Sequence, residues 1–184
     1  MDIKLSESEI LTQLEKAYEL RGVDIAESIQ LTKDALEKSR SLANEKLIAS
    51  ALNKMSLFLM ITGSFEESKN QAEEAISIFE KIGDKTGIAD AKYNLAGMLY
   101  KTDNHHKGLM YLLDCLSIYR VNQDYHNQAR VFKSIATIYE YFNDIKRAIS
   151  AYKNTLTAAK RAKDIDLEAN ALNPLSGIFL YQNI

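Results

Sequence analysis

Residues 125–162 read YHNQARVFKSIATIYEYFNDIKRAISAYKNTLTAAKRA. Forty residues earlier, residues 85–122 read KTGIADAKYNLAGMLYKTDNHHKGLMYLLDCLSIYRVN, and forty before that, residues 45–82 read EKLIASALNKMSLFLMITGSFEESKNQAEEAISIFEKI. Laid under one another without a gap, the three agree column by column, and an incomplete fourth begins at Ile165. Ala49, Ala89, Ala129 and Ala169 share one column; Ser56, Ala96, Ala136 and Ser176, all small, share another. Met55, Leu95, Ile135 and Leu175 are large and apolar, as are Leu59, Leu99, Tyr139 and Phe179. In the second half of each unit Ser68, Gly108 and Ala148 are small, while Ile76, Leu116 and Leu156 are large. Asp84, Asp124 and Asp164 recur just before each new unit. A fixed period of this length is the signature of a repeat architecture.

Each unit reads as two helices. Leu47, Ala51, Leu52, Met55 and Leu59 recur at spacings of three and four, the period of one helix face. Gly63-Ser64 is a turn signal in which Ser64 is expected to cap the next helix, with Glu66 and Glu67 favourable to its dipole. Gly83 is a natural left-handed stop, and Asp103-Asn104 and Asn143-Asp144 stand at the same turn in later units. Small columns let paired helices approach, and large ones fill the space between them. The spacing predicts a degenerate hairpin over 6–42, repeats over 44–82, 84–122 and 124–162, and a half repeat over 164–184. The fold class expected is all-α, a right-handed α-α superhelix (solenoid) of about four and a half helical hairpins, making one domain over 1–184.

Composition agrees. Seven Gly and one Pro in 184 residues are too few for a loop-rich β fold. Lys+Arg 23 against Asp+Glu 25 gives net −2, which excludes a strongly basic nucleic-acid binder and a highly charged disordered tail. One cysteine makes no internal disulfide and points to a reducing compartment, the cytoplasm. The opening MDIKLSESEI lacks the apolar core of a signal peptide, and the densest apolar run, LFLMI at 57–61, is too short to cross a bilayer.

The order Ala, Leu-small, Tyr, then Ala/Gly and Ala/Cys resembles the tetratricopeptide repeat, from about Asn44 onward and more weakly in the first hairpin. Two departures stand out: the period is 40 rather than 34, and Glu80, Arg120 and Lys160 occupy the place of the closing Pro. Longer repeats joined by stretches such as IGDKTGIADAKYNLA resemble those ahead of kinase and cyclase output domains in bacterial signalling proteins, and the repeats of peptide-pheromone receptors. That resemblance implies a non-catalytic protein- or peptide-interaction and sensory input module of a bacterial signal-transduction protein. The alternative is a free-standing peptide receptor or assembly scaffold. An enzymatic C-terminal output domain, a kinase or cyclase, is then expected beyond Ile184, together with a homodimer. Half of the last unit is absent, so the apolar residues Leu175, Ile178, Phe179 and Leu180 are expected to lack cover.

No catalytic motif is present: there is no glycine-rich phosphate loop, paired Cys, HExxH or GxSxG, and neither cofactor nor metal is expected. His105 and His106 open a second helix, and His126 is expected in the connector past its far end. A helix of about 18 residues holds them roughly 27 Å apart, too far to share an ion. Cys115 falls in a small core column, and Tyr139 and Tyr152 in core columns. Glu66-Glu67, Glu73-Glu74 and Lys160-Arg161 are expected on the outer, solvated faces of second helices. Residues 1–103 carry 13 basic and 18 acidic side chains and residues 104–184 carry 10 and 7, a polarity along the chain that can orient a partner or favour head-to-tail contact.

In the resembled family the first helices line a concave face where ligands lie. The residues assigned to that groove are Asn53, Tyr93, Asn94, Tyr100, Arg130, Lys133, Asn170 and Asn173. Asn side chains both donate to and accept from a peptide backbone, and Arg or Lys meets a carboxylate. Asn53, Asn94 and Arg130 resemble part of a carboxylate clamp, although Leu57 stands where a second Asn belongs and Asn53 where a Lys belongs. Tyr93, Tyr100, Tyr141 and Tyr181 lie outside the core columns. Pro174, within the last first-helix, removes an amide donor and is expected to bend the chain at Asn170.

Overall fold

A computed structural model describes residues 3–182, and side chains over residues 6–180. Among the described residues there are nine helices: α1 (Ile3–Leu20), α2 (Ile25–Ser41), α3 (Glu45–Thr62), α4 (Phe65–Ile82), α5 (Lys85–Lys101), α6 (His105–Val121), α7 (Tyr125–Tyr141), α8 (Ile145–Ala162) and α9 (Ile165–Gln182). The fold is all-α, a tandem of helical hairpins. It forms two compact units, one reaching Met98 and the other starting at Leu99.

The links reveal a finer period than the sequence does. Ala43, Gly63, Gly83, Asp103, Gln123, Asn143 and Lys163 all have positive φ, between 50° and 87°, at intervals of twenty residues. The next amide reaches back over each left-handed residue to the carbonyl five positions earlier: Asn44 to Ser39 (3.2 Å), Ser64 to Leu59 (2.9 Å), Asp84 to Phe79 (2.9 Å), Asp124 to Tyr119 (2.9 Å) and Asp164 to Ala159 (3.0 Å). This is the Schellman closure of a helix end. The same residue then starts the next helix. Oδ1 of Asn44, Asp84, Asp124, Asp144 and Asp164 accepts from the amide three residues on, at 2.9–3.1 Å. One Asx residue thus satisfies orphan groups on both sides of a link. Ser64 departs from expectation: it is the N-cap of α4 by position but makes no side-chain cap bond, and Asn104 ahead of α6 does likewise. In α4 the carboxylates of Glu66 and Glu67 still sit in the first turn.

In the first unit, Ile10, Leu14, Ala35, Leu47 and Ala51 make one core cluster, and Ala49, Leu52, Ala75, Phe79 and Ala91 another. The small columns work as close-approach points. Ser68 Oγ donates to the Ser56 carbonyl at 2.8 Å across α3 and α4, a contact that two larger side chains would prevent. In the second unit Ala136 and Ala148 occupy the same two columns and are fully buried. Ala129, Ala158, Ala159 and Leu167 form its core cluster, with Phe132 against them. Cys115 and Tyr152 are buried as their columns require, and Tyr139 is half-buried.

Two expectations need correction. His126 lies in the first turn of α7, not in a connector, because the link is only three residues long; its Nδ1 is 2.9 Å from Asp164 Oδ2. Leu175, expected to lack cover, is buried, on a helix α9 that runs on through Pro174. Asn170, whose carbonyl loses its donor, lies on the exposed side of α9, where water can replace the missing bond. Ala169, Leu172, Ser176 and Leu180 are exposed, whereas Ala49 and Ala129 in the column of Ala169 are fully buried.

Candidate interaction faces

Within each unit, neighbouring first helices pack on one another, α1 on α3 and α7 on α9. Polar side chains of one first helix can therefore meet the next, as well as the second helices on either side. In the first unit Asn94 is 8% exposed, and its Nδ2 donates both to the Asn53 carbonyl (3.1 Å) and to Asn53 Oδ1 (2.7 Å). The main-chain carbonyl can only accept, so the Asn94 atom facing it is nitrogen, and the Asn53 atom it also meets is oxygen. The pairing leaves the two N–H bonds of half-buried Asn53 with no hydrogen bond among the described residues. Tyr93 is half-buried beside this pair in sequence. Lys54 of α3 and Arg21, in the link just after α1, approach the ring of Tyr18 on α1 at 4.0 Å and 3.7 Å from its centroid, a cation–aromatic group that sequence reading missed.

In the second unit Arg130 Nη1 donates to Asn127 Oδ1 (2.9 Å), and Asn127 in turn donates to Asp124 Oδ2 (2.7 Å), so the guanidinium is anchored to its own helix start. Lys133 is half-buried with no ion-pair partner among the described residues. Asn170 and Asn173 on α9 are exposed, as is Tyr100. The Tyr152 hydroxyl donates to Glu140 Oε2 at 2.6 Å. Burial, and then the adjacent Glu140 carboxylate, push that phenol well above the ordinary tyrosine range, so it remains a donor. The side chain of Tyr181 lies outside the described residues.

A second feature was not legible in the sequence. His105 is 4% exposed, with its ring centroid 3.7 Å from that of Tyr141 and 4.9 Å from that of Tyr100. Among the described residues neither of its ring nitrogens has a hydrogen-bond partner, although Nε2 stands 3.5 Å from Asp103 Oδ1. His106 stacks on Phe142 at 4.6 Å. The signal available was only that Tyr141 lay outside the core columns. Among the described residues no group of three His, Cys, Asp or Glu is placed to hold a metal ion, and no helix is long and apolar enough to cross a membrane.

Helical hairpins in tandem with sheltered polar first-helix faces define a tetratricopeptide-like repeat domain. Residues 87–161 match the tetratricopeptide repeat family itself. Solved structures agree on the fold. The chain is similar to BtubC (BKLC) from P. vanneervenii at TM-score 0.64 and 14% identity, covering 100% of this chain and 93% of that one. It is also similar to the nearly identical TPR-like repeats of a putative kinesin light chain of Podosopora anserina, in two structures. A single-residue variant gives TM-score 0.56 and 12% identity over 96% of this chain and 97% of that one; the other structure gives 0.57 and 11% over 93% and 97%. No curated protein sequence matches the chain significantly. Repeats of this class generally mediate protein–protein interaction and act as non-catalytic scaffolds.

Proposed function

We propose that the chain is a cytoplasmic, non-catalytic module that holds an extended peptide or protein segment along its first-helix faces. The observation that carries this reading is the Asn94–Asn53 pair. Asn94 uses its amide to fix Asn53, and Asn53 then presents two unused N–H donors, the group that a peptide carbonyl needs. In the second unit Lys133, with Arg130, supplies positive charge for a carboxylate, and Asn170, Asn173 and Tyr100 supply amide and aromatic contacts. The 40-residue period and the IGDKTGIADAKYNLA connector favour an input role in a bacterial signalling protein with a kinase or cyclase output. The alternative is a free-standing receptor or scaffold. The native gene read past the codon for Ile184 separates the two.

The test of the binding reading is selection of peptides from a random display library against the chain. Asn53→Ala and Lys133→Ala are expected to weaken the selected peptides at least about tenfold, the loss of one good charged or paired hydrogen bond. Unfolding is expected unchanged for Lys133→Ala and slightly easier for Asn53→Ala, in which Asn94 loses the side-chain acceptor but keeps the main-chain carbonyl of residue 53. Asn94→Ala is a poorer probe, because it also strips a buried pair from the fold. Peptides that bind both variants as well as the parent chain would refute the assignment.

A further inference from the structure

The outer sides of the second helices carry a pattern that folding does not require. On α4 the exposed residues Glu66, Glu73 and Glu80 stand seven apart; on α8 the exposed residues Lys146, Lys153 and Lys160 stand seven apart, each two repeats on from one of those glutamates. Seven residues are nearly two turns, so each trio forms a single stripe, roughly 21 Å long. None of the six has an ion-pair partner among the described residues. Other charges on the same helices do: Glu74 meets Arg40, Lys81 meets Glu45, and Arg147 meets Asp144. Helix α8 carries five basic residues and no acid, whereas α4 carries five acids and two lysines. Between the charges lie Asn70 and Ser77 on α4, and Ser150 and Thr157 on α8. These are small or short polar groups that let two helices come side by side.

We propose that the α4 stripe of one molecule docks against the α8 stripe of a second copy of this chain. Laid antiparallel, Glu66 faces Lys160, Glu73 faces Lys153 and Glu80 faces Lys146, and the two helix dipoles oppose. The occupant is a second copy because the complementary stripe, with identical spacing and register, is encoded in the same chain. The contact is polar, so it is weak and sensitive to salt. It is independent of the peptide-binding faces, which lie on first helices.

Sedimentation of the chain from about 5 to about 500 µM, a span suited to a small polar interface, reads the association. Raising salt from about 50 to about 500 mM, which shrinks the screening length to below ~5 Å, is expected to weaken it at least about tenfold. Two triple variants, Glu66→Lys/Glu73→Lys/Glu80→Lys and Lys146→Glu/Lys153→Glu/Lys160→Glu, are each expected to be monomeric alone, since both stripes then carry one sign. Mixed, they are expected to associate again, because each supplies the stripe that the other lacks. The neutral Glu66→Gln/Glu73→Gln/Glu80→Gln variant, with circular dichroism on all of them, guards against misfolding and is expected to weaken association without abolishing the helices. A parent chain that stays monomeric at low salt, triple variants that associate as it does, or a mixture that stays monomeric would each overturn the proposal.

Discussion

Gly87 is a position in the first unit where a single added carbon has no room. It lies in the first turn of α5, its amide is held by Asp84 Oδ1 at 2.9 Å, and its φ is not positive, so the backbone does not demand glycine there. Space does. A Cβ at this position would stand 2.4 Å from both Cδ1 and Cε1 of Phe79 and 2.7 Å from Cγ, against the 3.5–4.0 Å of ordinary carbon contacts. Phe79 is 3% exposed and belongs to the cluster with Ala49, Leu52, Ala75 and Ala91, so the ring has no free direction in which to retreat by the required ångström. Overpacking of this kind costs about 1–3 kcal/mol. Alanine recovers at most ~1 kcal/mol of helix propensity, and less in a first turn. Gly87→Ala is therefore expected to lose about 1–2 kcal/mol, read as a lower midpoint in urea with an unchanged slope. The repeat itself supplies the rescue. In the matching columns Phe79 and Gly87 correspond to Ala159 and Leu167, which share a core cluster, so large-then-small has become small-then-large. Phe79→Ala/Gly87→Leu is expected to be more stable than the sum of its single changes by at least about 1 kcal/mol, the coupling of residues in contact. A Gly87→Ala chain as stable as the parent, or strict additivity in that cycle, would refute the reasoning.

The links and the buried phenol supply further tests. Gln123→Gly and Lys163→Gly, at φ of 54° and 57°, are each expected to gain about 0.5–1 kcal/mol by thermal melting, because glycine adopts that region without strain. Asp124→Ala and Asp164→Ala are expected to lose about 0.5–2 kcal/mol through the missing cap, while Ser64→Ala, which removes no cap bond, should shift the melting point by much less. Tyr152 is held protonated in the folded chain above its ordinary pKa of 10.0, so its contribution is complete below pH 10 and is lost as pH rises beyond it. Stability measured from pH 9 upward should therefore fall more steeply for the parent chain than for Tyr152→Phe, and parallel curves would contradict this.

The period of forty was legible because the columns that build the core tolerate only small or only large side chains, and those are visible as letters. The period of twenty was not. Only Gly63 and Gly83 among the seven left-handed positions announce themselves; Ala43, Asp103, Gln123, Asn143 and Lys163 adopt the same backbone without glycine, its strain offset by the Schellman bonds that follow. The same limit applies to the faces. Column counting put Asn53 and Asn94 on neighbouring first helices, yet nothing in their spacing says that one amide would be used to orient the other. His105 looked like an ordinary helix opener, since its burial depends on Tyr141, thirty-six residues later, folding over it.

Where the columns diverge is as informative as where they agree. In core columns the repeats keep size, because a helix pair that changes size must move, as the exchange of Phe79-Gly87 for Ala159-Leu167 shows at its most permissive. On the outer columns no neighbour imposes such a limit: Glu66, His106 and Lys146 share one column, Glu73, Leu113 and Lys153 another, and Glu80, Arg120 and Lys160 a third. A merely solvated surface would be served by a mixture of signs on each helix. Instead α4 keeps its stripe acidic and α8 keeps its stripe basic at three successive positions, which leaves half of a charged contact on each of two helices. Folding is indifferent to that arrangement, whereas a second molecule is not. The outer columns therefore carry information that the fold does not use, and the stripe-swapped pair of variants reads it directly.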